Sequence, residues 1–433
     1  MKKSKILKFS IIYLIISLLI FLISLSFVYG VKVGLLRQDP LFSKVIEFYN
    51  FSQNFKLEIK KILNKKNIHV VKQNLNHQNN SLYKDNLDFR NGSVPEELVI
   101  SASLSLWEGE QVKHKLIFIS EKEILHEISI EEDRNLSKND NLYKWPHGLI
   151  IEDEKFVYFN FDGGNSISKK DLCGKTIWTI AGNFHHLMSL NKDYIWALKK
   201  EYNGDYDIAE KFVKINKFSG KIISSFNVND LIVANQPNDY FSIKQRDLSS
   251  IWEYEPFHFN DIDVLNEEYS KYFDNFKEGD LMISSRSLNS VFVVDPNDLI
   301  IKKILFGLTR RQHDPDWNKG FISIYDNQTE WKNGKRFLKR RIVKLNEFNE
   351  KKIEPIKYDV EFTSDARGNH EILKLRDDTY ALIVSPYEGK LLFFKENKNI
   401  FTILNKQKSD VLPISNGKIL NKKNFLNNLR LCN

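Results

Sequence analysis

A short unit returns along this chain at nearly constant spacing. It consists of an apolar strand end, an Asp or Asn, a tight turn, a Lys or another polar residue, and a second apolar strand. Copies run Lys170–Trp178, Ile215–Ile223, Val294–Ile301 and Leu345–Ile353, with a weaker one at Phe394–Phe401. They are about 45–50 residues apart, except for one gap of about 78. That period fits a four-stranded propeller blade. Short apolar runs such as Leu98-Val99-Ile100, Leu116–Ile119, Phe156–Phe159 and Leu281–Ile283 supply the strands, and helical periodicity is lost from about residue 97. Gly or Asn in the turns suits the positive φ of a tight hairpin. The pattern predicts an all-β, six-bladed β-propeller over 97–410. The wide gap marks an insertion at about 231–254, and 411–433 form a tail placed to close the ring. An aromatic content of 13%, mostly Phe and Tyr, suits β-sheet packing better than a helical bundle.

Histidines recur at one phase of this repeat. His147, His185-His186, His258, His313 and His370 each sit at the start of a predicted first strand, in five of six blades. The first strand of a blade lines the axis, so residues at equal phase converge there. A ring of imidazoles can act as nucleophile and as acid or base near neutral pH. A metal centre is not expected, because Asp314 is the one adjacent candidate ligand and the two cysteines lie in no ligand spacing. Arg286, in Ser284-Ser285-Arg286-Ser287, interrupts a central-strand pattern. Its guanidinium offers a planar fork for two oxygens of a sulfate or phosphate group.

The ordered strings His258-Phe259-Asn260-Asp261-Ile262, Gly279-Asp280, Ser284–Ser290, Val293–Pro296, Arg311-Gln312-His313-Asp314 and Ser323–Asn327 resemble the bacterial arylsulfotransferases. The likeness runs through about 145–395 and is strongest over 255–330. It implies a six-bladed propeller that moves a sulfuryl group from an aryl sulfate donor to a phenolic acceptor. The route passes through a sulfohistidine and needs neither a nucleotide donor nor a cofactor. By motif, His313 is then the nucleophile and Arg286 the sulfate-oxygen clamp. His258 binds the sulfuryl group or assists proton transfer, and His186 is the fourth catalytic member. Asn260, His185, Asp314, His147 and His370 are implied as substrate-binding residues. Three departures stand out: His185-His186-Leu187 where the family has His-His-Asp, the partial match at Arg367–His370, and the wide insertion before His258. A propeller that kept the fold as a scaffold or receptor without the chemistry is the competing expectation.

The amino end sets the expected topology. Lys2, Lys3, Lys5 and Lys8 make 1–8 basic, and 9–30 then run 22 residues without a charge. That length spans a bilayer as a helix and exceeds the hydrophobic core of a cleaved signal. The basic flank favours a cytoplasmic amino end. The expectation is a signal anchor with the body outside the cytoplasm, in the periplasm of a cell with two membranes. Residues 31–96 read as a helical stalk to about 65 and then a polar, Asn-rich linker. The net charge of +8 is mostly Lys scattered without aromatic partners, which argues against nucleic-acid binding. Cys173 falls in a hairpin turn and Cys432 at the carboxyl end; they are expected to stay unbonded.

Overall fold

A computed structural model describes residues 87–108, 111–132, 145–202, 208–238, 257–332, 335–338, 341–345, 353–364, 367–407 and 410–432. The uncharged run 9–30, the stalk, and the insertion beyond 238 lie outside these residues. Among the described residues no helix is long and apolar enough to cross a membrane.

Six antiparallel sheets form the blades of a propeller. The first has Leu98–Glu108, Gln111–Ser120 and Glu123–Ser129, with Ile414–Asn421 as its inner strand. The inner strands of the next five are Trp145–Glu152, Asn183–Leu190, Phe259–Val264, His313–Asn318 and Asn369–Leu375. The fifth blade carries an extra hairpin, Thr329–Lys332 with Lys335–Leu338. Helix Val228–Ala234 follows the third blade and opens with a capping box on Asn227.

Apolar side chains on blade faces explain why the sheets stack. Six buried clusters fill the six seams between neighbouring blades. The seam between the third and fourth blades, for example, joins Phe212 and Phe226 to Phe259, Ile283 and Phe292. Each such side chain, fully buried, contributes about 1.5–3 kcal/mol. Polar bonds set the pitch of the ring. Asn416 Nδ2 donates to His147 O at 3.1 Å, Asn160 Nδ2 to His186 O at 3.1 Å, and Asn260 Nδ2 to Gln312 O at 2.7 Å. Asn327 Nδ2 donates to Arg367 O at 2.8 Å and Asn405 Nδ2 to Pro413 O at 3.1 Å. Five seams thus carry an asparagine that donates to the next inner strand or its lead-in, and at the remaining one Phe259 N donates to Glu210 Oε2 at 3.4 Å.

The ring closes with strands from both ends of the propeller. Ile414–Asn421 pairs with Leu98–Glu108, register Leu98 to Asn421. The helix Lys422–Leu429 then crosses toward the second blade. Phe425 packs on Phe118 with ring centroids 4.7 Å apart, and Asn428 Nδ2 donates to Asp153 O. This path brings Cys432 to Cys173 and corrects the expectation of free thiols: the two form a disulfide with Cα atoms 5.1 Å apart. A second difference lies at the start. Leu87–Arg90, inside the stretch read as linker, is the outer strand of the sixth blade, pairing with Lys398–Gln407. Four residues flanked by polar chain carry too little pattern to be read as a strand, and Phe89 gains its partner, Phe401, only from the fold.

Candidate functional site

The inner strands are irregular where the histidines lie. The ladder shifts register between Pro146 and Leu149, at His186-Leu187, at Asn260, at Asp314 and at Ser415. Bulges of this kind bend a strand and re-aim its side chains. His186 and Asp314, at two of these shifts, have φ of 58° and 50°, and His258, just before the strand Phe259–Val264, has 45°. Non-glycine residues in this region carry local strain, which tends to collect at functional sites. Gly148 permits the second and third blades to approach, since a Cβ there would lie 2.6 Å from His186 O.

The result is one buried group of imidazoles near the axis. His147 and His186 have ring centroids 4.6 Å apart, and His186 and His258 5.0 Å. His185 stands behind His186, with their Nδ1 atoms 2.5 Å apart, so one donates and the other accepts. His186 is thus the member that faces both neighbours. His313 is reached by the charges of Arg286 and Arg367 and by His258, and it acts in turn on His147. Arg286 follows the strand Leu281–Ser285, in the turn, and its N–H donates to His258 O at 3.1 Å.

Hydrogen bonds fix the tautomer of His313. Asn327 Nδ2 donates to Arg367 O, which turns Oδ1 toward His313 Nδ1 at 2.7 Å. Nδ1 therefore carries the proton and Nε2 the lone pair. Nε2 accepts the Arg367 backbone N–H at 3.2 Å. Burial drives the His313 pKa down to about 3; Asn327 works against this and Arg286 adds to it. His147 and His186 are also held well below the ordinary value, first by burial and then by neighbouring positive groups. All three are neutral near pH 7.

Asp162 and Arg367 join this group, although neither lies at the phase that the histidines share. Arg367, two residues before the inner strand of the sixth blade, donates from its guanidinium to Asp162 Oδ2 at 2.7 Å. That bond spans from the sixth blade to the second, past the first, as only residues near the axis can. His147 Nδ1 lies 3.9 Å from the same oxygen, and the Arg367 guanidinium carbon is 5.7 Å from the Trp145 ring. Burial opposes the Asp162 charge, but His147 and Arg367 favour it, and its pKa falls to about 2. Asp162 ends, and Asn327 directly follows, the second strand of its blade, so the phase of the first strands does not mark them.

Asp314 and His370 occupy another layer. His370 Nδ1 is 2.8 Å from Asp314 Oδ2 and its Nε2 2.7 Å from Ser323 Oγ. Asn369 Nδ2 reaches both Asp314 oxygens at 3.1 and 3.2 Å. Asp314 is thus engaged by the sixth blade as an anchor of the strand that carries His313. Further along the channel lie Asp261, Asp263, Asp316 and Glu371, all raised by burial, Asp263 to about 6. Lys418 is opposed by burial but raised by Glu371, Asp316 and Asp314 around it. His147-Asp162-His186 and Asp314-Asp316-His370 each bring ligand atoms within 4.8 Å of one another. Asp162 is also bonded by the Arg367 guanidinium, and Asp314 by Asn369 Nδ2.

Among solved structures the chain is similar to a protein of unknown function from Bacteroides caccae, at 12% identity and TM-score 0.45, over 75% of this chain and 99% of that one. It is also similar to a streptogramin B lyase structure, at 12% and 0.36 over 75% and 99%. The Neurospora crassa Pan2 WD40 domain follows at 13% and 0.37, over 70% and 75%. No curated protein matches the chain. The family model described as arylsulfotransferase (ASST) matches residues 149–406, from the inner strand of the second blade through the sixth, more than half of the sequence. On that match, the chain belongs to the arylsulfotransferase family.

Proposed function

We propose that the chain moves a sulfuryl group from an aryl sulfate ester to a phenol, by way of a sulfated His313. The observation that carries this reading is the neutral His313, held by Asn327 with its lone pair on Nε2 and with Arg286 and His258 nearby. A sulfate monoester resists nucleophiles because its oxygens repel them. Arg286 offsets that charge and stabilises what develops in transfer. The Nε2 lone pair attacks sulfur, the S–N bond forms, and the S–O bond to the aryl group breaks. The Arg367 N–H leaves Nε2 for a sulfuryl oxygen. The positive charge gained by the ring is stabilised through Nδ1–H on Asn327 Oδ1. The departing phenolate takes a proton relayed through His258. The incoming phenol returns one by the same route as its oxygen attacks sulfur and the S–N bond breaks.

The same reading places the body outside the cytoplasm, held by 9–30 in the inner membrane. The disulfide supports it, since such bonds persist in oxidising compartments. The test is incubation of the full chain with a chromogenic aryl sulfate, with and without added phenol. Release should depend on phenol and fall at least about a thousandfold in His313→Ala. Equal release by wild type and His313→Ala would favour a scaffold that has lost the chemistry.

A further inference from the structure

We infer that His147, His186 and Asp162 form a binding site for one divalent transition-metal ion of the zinc class. The inference stands apart from the sulfuryl-transfer reading. One ligand atom from each of the three lies within 4.8 Å of those from the other two. All three are carried by strands. His147 sits in the bulge of the inner strand of the second blade, Asp162 at the end of the strand paired with it, and His186 in the bulge of the inner strand of the third. Asp162 stands at no ligand spacing from either histidine, so the sequence does not mark the group.

Two observations point to an ion. His147 Nδ1 is buried and has no hydrogen-bond partner among the described residues. It lies 3.9 Å from Asp162 Oδ2, too far for a hydrogen bond. Two donors of a tetrahedral ion stand about 3.4 Å apart, so a side-chain shift of about half an ångström closes both atoms on one metal. The second observation is the backing of His186, whose Nδ1 meets His185 Nδ1 at 2.5 Å. A ligating imidazole ordinarily gives its other nitrogen to such a partner, which fixes ring and tautomer. With the proton of that bond on His186 Nδ1, Nε2 carries the lone pair for the ion. Arg367 donates to Asp162 Oδ2, as carboxylate ligands are commonly bonded in turn. Asp314, Asp316 and His370 come equally close, but His370 has both nitrogens engaged, Nδ1 on Asp314 and Nε2 on Ser323 Oγ. Two imidazole nitrogens and one carboxylate oxygen suit zinc or cobalt better than magnesium or calcium, which prefer oxygen. Three ligands from the chain leave a position for an oxygen of solvent or substrate, the arrangement of catalytic rather than structural zinc.

The experiment strips the full chain with a chelator and titrates it with zinc by calorimetry. Zinc should bind at about one ion per chain. His147→Ala and Asp162→Asn should each weaken it more than about tenfold, the loss that even an outer partner of a ligand causes. Asp316→Asn, in the other group, should leave zinc binding unchanged. X-ray absorption of the zinc-loaded wild type should count two imidazoles, which decides the matter if the variants do not fold. A wild type that takes up no zinc, fewer than two imidazoles, or binding that survives His147→Ala and Asp162→Asn overturns the inference, as does binding lost in Asp316→Asn instead. Every readout is made without aryl sulfate, so a chain that holds zinc but never transfers sulfate sinks the transfer reading alone.

Discussion

The chemistry of one ring decides most at the residue scale. Asn327 is bound through Nδ2 to backbone carbonyls, so Oδ1 has a fixed direction and His313 a fixed tautomer. Burial then keeps that imidazole neutral, with a pKa near 3. The unfolded imidazole takes a proton near pH 6.5 and the folded one only near 3, so His313 contributes stability in full above 6.5 and loses it as pH falls toward 3. For catalysis the base form is present throughout the neutral range. The expected result is that the rate of sulfation, read as the burst of phenol release, shows no His313 limb between about pH 5 and pH 8. A limb near 6.5 that disappears in Asn327→Leu would show that the ring is not held as described.

The inner strand is the element that aims these rings. An ideal strand alternates its side chains, but the shifts at His186-Leu187, Asn260 and Asp314 break that alternation and turn neighbours toward the axis. Each bulge is backed by a bond across a seam. At Ser415 the backing residue is Asn416, whose Nδ2 donates to His147 O while Oδ1 accepts from Gly417 N. Asn416→Leu leaves a buried carbonyl and N–H without partners, and should cost about 1–3 kcal/mol in urea unfolding. Because His147 O belongs to the site strand, the same variant should bind aryl sulfate more weakly. A variant as stable as wild type would show that water replaces the bond.

Closure is the property of the whole molecule. The inner strand of the first blade comes from the carboxyl end, and the helix after it ends in the bond from Cys432 to Cys173. The link joins residues 259 apart and so restricts a very long loop of the unfolded chain. Its removal in Cys173→Ser should cost about 2–5 kcal/mol, read as a lower midpoint in chemical unfolding. The effect should match that of reducing the wild type, and reductant should leave the variant unaffected. If reductant leaves the wild-type midpoint unchanged, the bond does not form in solution.

The sequence by itself determined the blade, because turn chemistry and apolar alternation are local and repeat at one spacing. It also marked which histidines share a phase, as equivalent places in a repeat must occupy equivalent places around an axis. The tertiary structure alone decided what depends on distance between blades. Arg367 meets Asp162 across 205 positions of chain, Asn327 meets His313 from the end of a second strand, and Asp314 turns to the sixth blade. Cys432 reaches Cys173 only because Phe425 finds its place between the first two blades. Local pattern fixes the shape of each sheet, but the charge and proton state of a buried site arise from the side chains that packing brings together, and no spacing along the chain records those.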